Sequence, residues 1–397
     1  MKLKILVASV LAGLFTQQAL ADDNAFTLSG FGTAALTRAN TDMAEFARES
    51  QLNGAGNSAK FGVDSNLGLQ VSYKLNDKIS LTGQGLVSKR VTDEFGAELS
   101  WAFAKFKASD QLDIRVGRMG IPVYMISDYL NLGYANTYLR PPIEMYSQVP
   151  LQSVDGIDAI YRHDIGDSTL TSQVVYGRTE TKGAGNSYTA KFRNIMGLNL
   201  VWDSGPMTLR FGHIRTDFSV DDSVSLNAVI AGLSRFGFSS VADTLRIKDT
   251  RASFTSVGAN LNYKNWLLQA EYGKRKSDAR SLPDTTSWYT LVGYKYGAFT
   301  PYFVHADVSQ DTPRSFANLP TSGPLAALSA GANSYASNAA IQSSNSLGLR
   351  WDFHKAAALK VQFDRISPRD GAGTFVNPKP GFKGPVNVLA VGIDFVF

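Results

Sequence analysis

The chain has 397 residues, 39 Lys and Arg against 34 Asp and Glu for a net charge of +5, 35 glycines, 23 phenylalanines and no cysteine. Without cysteine there is no disulfide framework, no Cys-based zinc site and no thiol catalysis. So slight a positive charge leaves no electrostatic footprint for nucleic acid.

The chain opens "MKLKILVASVLAGLFTQQALA", with Lys2 and Lys4, an apolar run from Ile5 to Phe15 and small residues up to Ala21. This pattern predicts a secretory signal peptide over 1–21, cleaved after Ala21. The run is too short for a membrane-spanning helix, which needs about 20 apolar residues, and no later segment comes closer. No Pro-rich or charged linker divides the remainder, so 22–397 reads as a single domain.

From Lys60 the sequence "KFGVDSNLGLQVSYKL" puts Phe61, Val63, Leu67, Leu69, Val71, Tyr73 and Leu75 on one parity, and Asp64, Asn66, Gln70, Ser72 and Lys74 on the other. Such strict period-two alternation marks a strand with one apolar and one polar face. The same reading predicts strands near 26–38, 60–75, 79–90, 96–108, 111–119, 154–165, 168–179, 191–203, 206–217, 250–263, 265–276, 285–296, 298–310, 345–355, 357–367 and 386–397. That makes sixteen. The first, "FTLSGFGTAALTR", carries glycines at 30 and 32, and its parity does not reveal which face is apolar.

The links between these strands alternate. Tight turns contain Asn76-Asp77, Asp110, Gly166-Asp167, Ser204-Gly205, Lys264-Asn265, Gly297 and Lys355-Ala356. Longer loops fall near 39–59, 91–95, 120–153, 180–190, 218–249, 277–284, 311–344 and 368–385. Strict alternation places every tight turn at one end of the sheet and every long loop at the other. The Greek-key connections of a soluble sandwich do not sort loops in this way.

Polarity separates the two architectures further. Opposite the apolar parity lie Asp113 and Arg115, Asp158 and Arg162, Arg193 and Asn199, Gln269, Glu271 and Arg275, Arg350 and Asp352, and Lys360, Gln362 and Asp364. In a sandwich these would be the wet exterior; in a closed barrel in lipid they line a water-filled lumen. Export, strands of ten residues or so, and aromatics near strand ends favour the barrel. Those aromatics are Tyr73, Trp101, Tyr161, Trp202, Tyr263, Trp266, Trp288, Tyr296 and Trp351. The fold class expected is therefore an all-β, transmembrane antiparallel β-barrel of 16 strands. Closure is required because an open sheet edge in hydrocarbon leaves unpaired N–H and C=O groups costing several kcal/mol each.

The signal peptide, the first strand "FTLSGFGTAAL", the hairpin-paired strands, the long loop after the fifth strand and the final Phe397 together resemble the Gram-negative outer-membrane porins. The resemblance spans the mature chain and is architectural, with few diagnostic motifs. It implies an outer-membrane location among lipid and lipopolysaccharide, a homotrimer, and a third loop folded into the lumen. It also implies passive diffusion of small hydrophilic solutes and ions, with no cofactor or metal. Phe397 would sit at the periplasmic rim as a signal to the outer-membrane assembly machinery.

The third loop, about 120–153, has no sustained alternation. Its Tyr124, Tyr129, Tyr134, Tyr138 and Tyr146 offer large packing surfaces, and Pro122, Pro141, Pro142 and Pro150 restrict it. With the loop inward, "RPPIEMY" presents Arg140 and Glu144 to the lumen with Asp128 nearby, facing Arg90, Arg115 and Arg162 across it and Arg118 at the loop's root. Opposed charges in a narrow low-dielectric passage orient polar solutes and sort ions. With the loop outward, the same charges are simply solvated. Asp113 and Asp158 also line the wall, so no strong ion preference follows.

Two other classes compete with a channel: a barrel hydrolase, and a closed structural or adhesive barrel. Four histidines, His163, His213, His305 and His354, fall on four strands, and no G-x-S-x-G, H-E-x-x-H or EF-hand pattern occurs. "GAGNS" appears at Gly54–Ser58 and Gly183–Ser187, each shortly before Lys-Phe, without the ending of a phosphate loop. It reads as two exposed loops entering similar strands. The Ser-, Ala-, Asn- and Gly-rich segments 218–249 and 311–344 read as extracellular, with a short helix in "NAVIAGLSRFGF".

Overall fold

The computed structural model describes residues 25–311, 315–337, 340–369 and 371–397, so the expected signal peptide lies outside the described residues. The strands are β1 (Phe26–Ala39), β2 (Asn66–Lys74), β3 (Ile79–Lys89), β4 (Phe95–Lys107), β5 (Leu112–Gly120), β6 (Ser153–Ile165), β7 (Ser168–Lys182) and β8 (Thr189–Ser204). They continue as β9 (Met207–Val220), β10 (Ile247–Tyr263), β11 (Trp266–Ser277), β12 (Thr285–Tyr294), β13 (Phe299–Gln310), β14 (Gln342–His354), β15 (Ala357–Pro368) and β16 (Val386–Val396). Each pairs antiparallel with its chain neighbour, and β1 pairs with β16 from Phe31↔Val396 to Ala39↔Val388, closing the barrel. Gly166 (φ 60) and Gly205 (φ 52) adopt the left-handed backbone that two-residue hairpin turns require.

Closure explains the weak parity of β1. Phe26, Leu28 and Leu36 face outward, while Phe31, Thr33, Ala35 and Thr37 face the lumen. On the outer face a Cβ at Gly30 would meet the ring of Phe397, and one at Gly32 the ring of Phe395. The glycines seat aromatic rings from the neighbouring strand, so they carry no polarity of their own. Backbone bonds of 2.8 and 2.9 Å join Gly30 and Phe397 in both directions.

The outer face is apolar, with Leu67, Leu69, Val116, Ile157, Val174, Leu198, Phe303, Leu347, Leu389 and Val391 exposed. Near the turn end it carries an aromatic girdle, including the ring pairs Trp266–Tyr294 at 5.0 Å and Phe299–Trp351 at 5.8 Å. Trp101 departs from the girdle expectation. A register shift between Gln84 and Gly85 on β3 changes the parity of β4 there and turns Trp101 inward. A similar irregularity between Arg215 and Asp217, beside Asn194 at φ 50, turns Arg193 out of the lumen while Asn199 stays inside.

The expected strand 60–75 is interrupted. Lys60–Phe61 pairs with Leu36–Thr37, but at Gly62 (φ +116) the chain leaves the sheet and rejoins it at Asn66. Within the detour Val63 is buried instead of facing outward, and Asp64 keeps its inward side, where Thr37 Oγ1 donates to it at 2.6 Å. Elsewhere several strands run past their expected ends on the loop side: β7 to Lys182, β9 to Val220, with β10 starting at Ile247 and β14 at Gln342. Backbone pairing continues there after the lipid-facing apolar pattern has stopped.

Two long loops build a helical cap from α2 (Val224–Arg235), α3 (Ser239–Leu245) and α4 (Ala326–Ala336), around Leu226, Ile230, Leu233, Leu245, Leu319 and Ala332. Ser223 caps α2 by accepting from Leu226 N. The short helix expected in "NAVIAGLSRFGF" is α2.

Candidate functional site: the passage beside the third loop

The loop joining β5 to β6 folds into the lumen and packs against the inner wall of β8–β15. Its Tyr124, Ile126, Tyr138, Met145 and Tyr146 form one buried cluster with Phe192, Ile195, Phe254, Tyr289, Leu291, Tyr302 and Val304 of the wall. Each such side chain stabilises the seat by roughly 1.5–3 kcal/mol relative to exposure. The wall under the loop thus carries large apolar side chains that a water-filled lumen would not hold.

Polar anchors fix the register of this packing. Arg210 of β9 donates to the carbonyls of Pro122 (2.8 Å) and Val123 (3.1 Å). Glu271 of β11 accepts from Met125 N and from Tyr146 Oη, both at 2.9 Å. Lys360 and Arg350 hold the carbonyls of the segment 133–138, and Gln362 accepts from Leu139 N at 3.0 Å. The return leg is the single turn α1 (Ile143–Tyr146), after which Thr285 Oγ1 donates to Gln148 at 2.6 Å.

Between the loop and the opposite wall two cavities adjoin. One, of about 90 Å³, lies toward the loop end and is lined by Arg48, Glu49, Ser65, Lys89 and Arg90. The other, of about 290 Å³, lies below it along Gln70, Gln84, Trp101 and Asp128. They share Tyr124, Leu130, Asn131, Leu151 and Gln152 of the loop, which line both where they adjoin.

The residues expected to carry the site separate into four groups. Arg90 lines the upper cavity and pairs with Glu98 at 2.9 Å, and Asp128 lines the lower one. Arg115 and Arg162 face the lumen on β5 and β6, where Arg115 pairs with Asp158 (Nε–Oδ1 3.0 Å) and Arg162 with Asp113 (2.9 Å). Arg140 and Glu144 do not present charge to open water. Arg140, 4% exposed, bonds Asp64 and Asp364 at 2.9 Å each and stacks on Phe46, while Glu144, 1% exposed, accepts from Gln342 at 2.7 Å. Arg118 lies on the outer face, on the parity of Val116, paired with Asp155 at 2.6 Å. An alternating strand cannot turn Arg115 and Arg118 to the same side.

Arg48 and Glu49 were not legible as site residues, because loop one has no periodicity to place them. Burial pushes the Glu49 carboxyl above its ordinary range, and the nearby Arg90 opposes that shift. Burial likewise holds Arg48 below the usual arginine value. The histidines stay apart: His213 bonds Thr255 and His305 bonds Asn345 on the outer face, and His163 stacks on Tyr161. Among the described residues no group of three His, Cys, Asp or Glu side chains could hold a metal ion, and no helix is long and apolar enough to cross a membrane.

A sequence model described as Gram-negative porin matches residues 7–370. The chain belongs to the Gram-negative porin family. Solved porin structures share its fold at low identity. OmpF of Salmonella typhi, solved with daunomycin, is 14% identical with a TM-score of 0.57, over 94% of this chain and 97% of that one. An anion-selective porin from Comamonas acidovorans gives 14% and 0.57, over 94% and 99%. OmpT, an outer membrane protein of Vibrio cholerae, gives 13% and 0.54 in its trimer form, over 94% and 99%. No curated protein matches the sequence. This porin is thus an outer-membrane β-barrel whose third loop lies inside the lumen.

Proposed function

We propose that this porin is a passive diffusion channel for small hydrophilic solutes and ions, constricted where its third loop approaches the wall of β2–β4. One observation carries the reading: the loop packs against the β8–β15 side of the lumen, leaving a cavity of about 310 Å³ against β10–β14, while two adjoining cavities follow its other edge. Charge along that edge is nearly balanced. Arg90 is paired with Glu98 and Lys89 with Asp93, leaving Arg48 and Glu49 above and Asp128 below. Such a passage sorts solutes by size first and by charge only weakly. In this reading Arg90 and Asp128 line the passage, Arg115 and Arg162 line the lumen beside it, and Arg140 and Glu144 hold the loop.

The working form is proposed to be a homotrimer in lipid and lipopolysaccharide, exported by the signal at 1–21 and read by the assembly machinery through the strand carrying Phe397. A trimer form of the similar Vibrio cholerae protein supports the oligomer. Transport down a gradient needs no catalytic step. The deciding experiment is single-channel recording of purified protein in a planar bilayer. Discrete ohmic openings with weak ion selectivity are expected; a correctly folded barrel that passes no ions overturns the channel and favours a closed barrel.

A further inference from the structure

We infer that Lys360 is the positioning residue that sets the width of the passage, by gathering three carbonyls of the third loop onto one ammonium. The inference rests on the loop being the constriction. Lys360 projects from β15 into the lumen and is fully buried. Its Nζ lies 2.8 Å from Gly133 O, 2.6 Å from Asn136 O, 2.9 Å from Tyr138 O and 2.7 Å from Asp394 Oδ2. An ammonium has three N–H donors and no acceptor. A lysine buried in this way is tolerated only where those donors and its charge are met, and here most of its partners belong to the loop.

The seat around it is specific. Asp394 of β16 is held by Thr33 of β1 at 2.5 Å, and the two are register partners where the barrel closes. Gly133 rests directly on them: a Cβ there would fall 2.2 Å from Asp394 Oδ1 and 2.5 Å from Thr33 Oγ1. Arg350 reinforces the same segment through Tyr134 O and Asn136 O, both at 2.8 Å. Leu130 and Asn131, which line both cavities, stop one residue short of this segment. A shift of 133–138 off its seat therefore moves the edge of the passage.

Two variants test this from opposite sides. Lys360→Met removes the ammonium from the wall. Gly133→Ala leaves every strand untouched and blocks the seat sterically, so the barrel folds as before. Both proteins are reconstituted beside the unmodified one, and heat-modifiable migration in detergent gels reports barrel folding. Single-channel conductance and liposome swelling with mono-, di- and trisaccharides report the passage. Expected are larger, noisier openings and entry of a sugar that the unmodified protein excludes, in Gly133→Ala even if Lys360→Met fails to fold. A lysine that merely stabilises the barrel would lower thermal stability without moving the size cut-off. A folded variant with unchanged conductance and cut-off overturns the role of Lys360. An unmodified protein that folds without conducting overturns the channel reading instead.

Discussion

Glu49 shows how much a single side chain depends on where its loop is folded. In the sequence it is one of several charges in an aperiodic stretch; in the structure it stands at the upper cavity beside Arg48 and Arg90. Its carboxyl is raised by burial and restrained chiefly by Arg90, so it neutralises at a higher pH than an exposed glutamate, which titrates near about 4.3. Protonation removes a negative charge from a cavity wall that also carries Arg48 and Arg90. Anion preference is therefore expected to grow as pH falls through the raised Glu49 titration, measured as a shift in reversal potential under a salt gradient. Glu49→Gln should show the acidic-side selectivity at neutral pH and a flatter profile. An identical pH profile in that variant would place Glu49 outside the ion path.

At the scale of elements, the third loop is held by apolar packing with a few buried ionic contacts, and Arg140 is the one joining it to two separate carboxylates. Removing one partner of a buried pair costs about 3–5 kcal/mol because the other charge is left uncompensated. Arg140→Ala strands Asp64 and Asp364, both buried. The expected result is a barrel that still migrates as folded, with a loop more susceptible to limited proteolysis and unstable conductance levels. A variant with steady unit conductance and unchanged protease resistance would show the anchor to be dispensable. The loop's inward course was foreseeable by resemblance, but its seat was not. The clue lay in strands such as β13, "FTPYFVHADVSQ", where Tyr302 and Val304 face inward opposite an outward Phe303. A strand apolar on both faces signals that protein, and not water, fills the lumen beside it.

The whole molecule depends on the seam between β1 and β16, since a barrel without it exposes two unpaired edges to hydrocarbon. Gly30→Val tests that seam: the added side chain collides with the Phe397 ring, whose nearest atom would lie 2.2 Å from the new Cβ. Overpacking of this kind costs typically 1–3 kcal/mol. The urea midpoint followed by tryptophan fluorescence is expected to fall, with native-like conductance in the molecules that do fold; an unchanged midpoint would mean that the ring is free to move aside. By itself the sequence determined the strand count, the alternation of turns and loops and the lipid-facing parity, because those follow from local period-two patterning and turn chemistry. It also placed Lys360, Gln362 and Asp364 on the polar side. Tertiary structure decided what those polar groups do. A strand's alternation separates inside from outside, but it carries no record of which distant loop meets the inner face. Asp64, Arg140 and Asp364, or Thr33, Asp394, Lys360 and Gly133, become neighbours only when the closed barrel brings remote strands around one loop.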